Sequence, residues 1–159
     1  MFRFLFFVLI FNLYPLSIYG STVLKGSNGS LINALVITKF SSPWAMTFVS
    51  KDQMLVSTRE GKLWLVSATG EKVEVGGVPY TTFEGQGGLG DVVIHPNFKV
   101  NRYVYISLVE KNINDASQSG SVVYQATLDM SQEPHLKNLK LIWTQLPKVQ
   151  GSGHFSHKI

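Results

Sequence analysis

The sequence predicts an all-β fold, and three observations carry the prediction. From Leu31 onward, short runs rich in β-branched and aromatic residues alternate with turn residues. The links between runs within a set are mostly of hairpin length. No segment sustains a helical period. Trp44–Val49, Met54–Thr58, Lys62–Val66 and Lys72–Val75 form a first set of four runs. Asp91–His95, Tyr103–Val109, Ser121–Leu128 and Leu139–Thr144 form a second, and a third opens at His154. Four-run sets recurring about every 45–55 residues match the spacing of propeller blades. Propellers close with about four to eight blades. The chain supplies two and a beginning, so it reads as the N-terminal piece of a longer reading frame. A β-sandwich shares the short strands, and periodicity alone leaves it open.

The ends and the composition narrow the class further. Positions 1–20 hold five of the ten Phe and a single charge, Arg3. The apolar run Phe4–Leu13 is interrupted only by Asn12, and Pro15 follows it. This is a secretory leader, with a cut after Gly20, and the run is too short for a membrane span. The expected location is periplasmic or secreted, with no stable membrane insertion after cleavage. Residues 21–39 read as a polar, glycine-bearing linker and a first strand, and 40–159 as the propeller portion. The 14 Lys+Arg against 10 Asp+Glu form no stripe, which argues against nucleic acid as a partner. With no Cys there is no disulfide, thiolate metal site or lipid-anchor cysteine. Aromatic content of 12% with 15% charged residues excludes a disordered chain.

Two segments carry chemistry. Glu84-Gly85-Gln86-Gly87-Gly88-Leu89-Gly90-Asp91 places four glycines in six residues, so backbone can approach a flat ligand, or turn sharply between sheets. Gln86 is the only side chain of that glycine run with both a donor and an acceptor. No Lys-Ser/Thr follows, so this is not a phosphate loop. The second segment is Gln150-Gly151-Ser152-Gly153-His154-Phe155-Ser156-His157. His154 stands where a glycine loop meets a strand, and a neutral imidazole there can take a hydroxyl proton near pH 7. His154 and His157 would face opposite sides of a strand, which argues against a zinc site. Trp44, Trp64 and Trp143 read as packing residues, His95 as a turn residue, His135 as a loop residue and Arg59 as an exposed turn charge.

Together, several segments resemble the soluble PQQ-dependent glucose/sorbosone (aldose sugar) dehydrogenases. These are Ser42–Phe48, Leu55–Leu63, Gly85–Phe98 continuing to Asn101–Tyr105, and Gly153-His154-Phe155. The resemblance implies a six-bladed β-propeller that binds PQQ and calcium, oxidises an aldose and passes electrons to an acceptor. It implies that His154 is the catalytic base and that Gln86 contacts cofactor and substrate. It also implies that the calcium ligands lie beyond this sequence, so no metal ligand is assigned within it. Ser156-His157-Lys158 departs from the family pattern of a small residue pair followed by Arg. Lys158 keeps the charge without the planar fork, and His157 adds bulk near the base. The alternative reading is a secreted propeller used only for binding.

Overall fold

The computed structural model describes residues 20–153 and 155–159. The leader, apart from Gly20, and His154 lie outside the described residues. The chain divides into two compact units, one ending at Val36 and one spanning Ile37–Ile159.

In the first unit, β1 (Ser21–Lys25) pairs antiparallel with β2 (Leu31–Leu35). Thr22, Val23 and Leu24 favour extended backbone, and Gly29 at φ +84° supplies the turn. The first half of the expected linker is therefore a strand. Its turn residues had masked a hairpin.

The second unit contains two antiparallel meanders. The first sheet runs β3 (Pro43–Phe48), β4 (Gln53–Thr58), β5 (Lys62–Ser67) and β6 (Lys72–Val75), in that order. The second contains β7 (Leu89–Ile94), β8 (Tyr103–Asn112), β9 (Asp115–Asp129) and β10 (His135–Thr144). One helical turn, α1 (Phe98–Asn101), joins β7 to β8, and β11 (Val149–Gln150) pairs with β9 beyond β10. Both sets of four expected runs are strands at their expected places. His135 is the first residue of β10 rather than a loop residue, and Gly76 bridges to it. Residues 155–159 form no strand.

Strand alternation decides which side of each sheet is buried. In the first sheet Ala45, Leu55, Leu63, Leu65 and Val75 face the second sheet. They meet Leu89, Val92, Val104, Ile106, Leu108 and Val122 there in a single core. Each fully buried Leu or Ile contributes about 1.5–3 kcal/mol relative to exposure. β3 lies against β7, so the first strands of the two meanders are neighbours. Both sheets are open, as in part of a propeller.

The opposite side of the first sheet carries Trp44, Met46, Phe48, Met54, Val56 and Trp64. Trp44 is 49% exposed and Trp143 52% exposed, so neither packs in the core. Trp44 precedes Ala45, which faces the core, and so points to the other side of its sheet.

Candidate functional site

Two loops brought together by the sheets form the site. Glu84–Gly88 leads into β7, and Gly151–Gly153 follows β11. The Gln86 backbone N–H donates to Ser152 O at 2.7 Å. A Cβ built on Gly153 would lie 3.9 Å from Gln86 Oε1. The exposed Gln86 amide therefore stands beside the residue that precedes His154 in sequence.

Of the two roles open to the glycines from sequence, the structure shows the sharp turn. A Cβ at Gly85 would fall under 3.0 Å from Ser152, at Gly87 from Thr82 O, at Gly88 from Arg59 O and at Gly90 from the His157 ring. The room they leave is filled by the chain itself rather than left open to a flat ligand. Gly85 (φ +52°) and Gly88 (φ +122°) also need left-handed backbone.

Arg59, just after β4, grips this loop from beneath. Its Nε donates to Gly87 O at 3.2 Å, and its Nη2 donates to Gly87 O at 3.1 Å and to Gly85 O. Its own carbonyl accepts Leu89 N–H at 3.2 Å. The guanidinium carbon lies 5.1 Å from the Phe83 ring centre and 5.9 Å from that of Trp44. Sequence reading took Arg59 for a surface charge. Asking which donor serves the carbonyls of so tight a loop points instead to a nearby cation.

The third component is the C-terminal segment. His157 is 5% exposed, and its ring fills the hollow over Gly90. Trp44 meets it edge-on, with ring centres 5.5 Å apart. Ser107 Oγ donates to His157 O at 2.6 Å. Asp91, itself 5% exposed, accepts Ile159 N–H on Oδ2 at 2.9 Å and Val92 N–H on Oδ1 at 3.0 Å. Lys158 Nζ lies 3.3 Å from the same Asp91 Oδ2. Burial holds the His157 imidazole below its ordinary pKa. A hydrogen bond to the Gln86 backbone and the Asp91 charge oppose that shift, while the Arg59 charge adds to it. The ring is therefore neutral at pH 7, with Nδ1 buried and without a hydrogen-bond partner. A cleft of about 460 Å³ runs between this segment and β3, lined by Trp44, Ala45, Met46, Asp91, Ser156 and Lys158 as well as His157. The bulk of His157, a departure in the sequence, thus has a place prepared for it by Gly90.

Among the described residues, no three His, Cys, Asp or Glu side chains come together as a metal site would require. No helix among them is long and apolar enough to cross a membrane.

Open antiparallel meanders with a glycine loop and a histidine-bearing loop side by side define a class that comparison with known proteins resolves. The family model for Glucose / Sorbosone dehydrogenase matches residues 40–159, and the chain belongs to that family. It is 31% identical over 126 residues to aldose sugar dehydrogenase YliI of Escherichia coli, covering 76% of this chain and 32% of that protein. A crystal structure of a glucose dehydrogenase superposes with TM-score 0.67 at 33% identity, over 73% of this chain and 33% of that one. The PQQ-bound form of aldose sugar dehydrogenase from Streptomyces coelicolor superposes with TM-score 0.58 at 25% identity, over 84% and 36%. The chain spans about one third of the length of these relatives.

Proposed function

We propose that this chain supplies the proton-accepting base and one cofactor-contacting amide of a periplasmic or secreted PQQ-dependent aldose dehydrogenase. In this reading its two sheets are two of six blades. The observation that carries it is the meeting of the two loops: Gln86 N–H bonds Ser152 O, and Gln86 Oε1 faces Gly153, next to His154 in sequence.

The described residues fit one edge of such a cofactor. Gln86 offers a neutral amide that both donates and accepts, on an exposed loop tip backed by the Arg59 cation. When bound, PQQ supplies a quinone able to take a hydride from the anomeric carbon of a sugar. This chain's own part is orientation and proton removal. His154 would take the proton of the sugar hydroxyl and so assist the loss of hydride from the same carbon. Gln86 would hold a carbonyl oxygen by hydrogen bond and fix its direction. Calcium would be held by ligands outside this sequence.

In this reading the chain alone is inactive, so the test joins it to the remaining blades: a spectrophotometric titration of that protein with PQQ, with and without calcium, alongside steady-state oxidation of several aldoses with an artificial acceptor. His154→Ala should lower turnover by about 10²–10⁴-fold and leave PQQ binding intact. Gln86→Ala should weaken binding and lower turnover more modestly. Absence of saturable PQQ binding would overturn the cofactor assignment. Wild-type turnover in His154→Ala would overturn the base and favour a binding module.

A further inference from the structure

We propose that Arg59 is a positioning residue that sets the direction of the Gln86 amide by clamping the backbone on both sides of it. The inference rests on the PQQ reading for its functional meaning and on the loop geometry for its structural content.

Gln86 sits between two carbonyls, Gly85 O and Gly87 O, and one guanidinium holds both. Gly85 O lies in the peptide plane that enters Gln86 and Gly87 O in the plane that leaves Gly87, so one rigid fork gripping both pins the chain just before and just after the Gln86–Gly87 pair. The grip is reinforced along the chain. Arg59 O accepts Leu89 N–H just beyond the glycine run, and Gly88 lacks a Cβ where one would collide with that same Arg59 carbonyl. The fork is held in turn by the Phe83 and Trp44 rings. Arg59 N–H donates to Ser42 O at 2.9 Å, tying its backbone to the segment just before β3. The loop tip is exposed and has four glycines near it, so the fork carries much of its definition. Other restraints on it include Gln86 N–H on Ser152 O and Gly87 N–H on Glu84 O, each at 2.7 Å, the hydrogen bond of the His157 ring to the Gln86 backbone, and the Lys111–Glu84 ion pair at 3.1 Å. Ser152 belongs to the other site loop, so slackening at Gln86 is passed to Gly153.

A lysine cannot replace the fork. Its ammonium has no counterpart to the Nε–H that adds a second bond to Gly87 O, and it lacks the planar rigidity that fixes the angle between the bonds. Charge-assisted hydrogen bonds contribute more than neutral ones, so their loss should raise exchange of the loop amides by about 10- to 100-fold.

The experiment compares the full chain with Arg59→Lys and Arg59→Met. It reads hydrogen exchange at Gln86, Gly87 and Leu89, exchange at Leu55 and Ile106 as a control on the core, and PQQ affinity by titration. The clamp predicts loop exchange faster by about tenfold or more in Arg59→Met, intermediate in Arg59→Lys, with the core control unchanged. It also predicts non-additivity: once Gln86→Ala is present, adding Arg59→Met should weaken PQQ binding no further, because Arg59 acts through Gln86. A general structural role would lower affinity additively. If Arg59→Met loosens the core, Arg59→Lys, which keeps the charge and most of the stem, becomes the deciding variant. Wild-type loop protection in Arg59→Lys with an intact core would overturn the clamp, as would additive losses in the double variant. If the wild-type chain by itself binds no PQQ, loop exchange alone supports or overturns the clamp, and the cofactor reading stands or falls on the titration described under the proposed function.

Discussion

Gly90→Ala is the sharpest probe of how the C-terminal segment is seated. Gly90 has an ordinary negative φ, so alanine costs nothing in backbone strain, and the whole effect is steric. The new Cβ would lie 2.5 Å from His157 Cβ and closer still to the ring, where carbon contacts normally settle at about 3.5–4.0 Å. The ring must retreat by roughly 1 Å, too far to keep the 2.6 Å bond from Ser107 Oγ to His157 O. Release forfeits the edge-on Trp44 contact, about 0.5–1.5 kcal/mol, and two hydrogen bonds, at Ser107 and Asp91, about 1 kcal/mol each. Forcing the methyl in without release costs about 1–3 kcal/mol in overpacking. The cheaper route sets the effect, so about 2 kcal/mol should appear in the segment, or roughly 30-fold in local exchange. Hydrogen exchange at Ile159, with Trp44 fluorescence as a second reporter, measures it. Pairing the change with His157→Gly removes the clash and should remove the excess release that Gly90→Ala alone causes. Wild-type protection of Ile159 in the single variant would refute the seating of His157 over Gly90.

The remaining expectations concern pH, backbone and export. The folded state holds His157 below its ordinary value of 6.5, so the unfolded chain binds more protons as acid is added. Stability from this group is fully present above about pH 6.5 and is lost as pH falls through the folded pKa; His157→Phe should flatten that acid limb in urea melts recorded from pH 7 to 5. Gly88→Ala combines left-handed backbone at φ +122° with a collision on Arg59 O, and should cost about 2 kcal/mol or more, read as a lower urea midpoint with unchanged m. N-terminal sequencing of chain exported from a bacterial host should begin at Ser21; an intact Met1 would contradict the leader.

The two meanders were legible because their strands are β-rich runs and most of the links between them carry Gly, Asp or Asn. Gln86 and His154 were singled out by residue type and by likeness to a family; the structure sets Gln86 beside Gly153, and His154 lies outside the described residues. The β1–β2 hairpin was hidden because Gly26, Asn28 and Gly29 read as a linker when they are the turn of a hairpin. Arg59 was hidden for a different reason. Its importance lies in three backbone contacts across 26–28 residues of sequence, and no local pattern encodes such a reach. His157 was misjudged in kind. Bulk at 157 is a liability only if the opposite position is filled, and the matching vacancy is Gly90, 67 residues earlier. Complementarity of that sort is a property of pairs, and a single sequence displays only its members.

The placement of the tryptophans has a practical consequence for anyone measuring this molecule. Trp44 and Trp143 look outward from their sheets, and Trp64 shares that outward side with Phe40 near its ring. No indole is part of the buried core. Trp64, half-buried with its Nε1 enclosed, should shift to the red when the fold melts, whereas Trp44 and Trp143 are half-exposed already and should move little. Trp44 is of use in titrations for that reason: whatever covers the outward side of β3, β4 and β5 must dehydrate it, and a blue shift in the emission reports that event without a label.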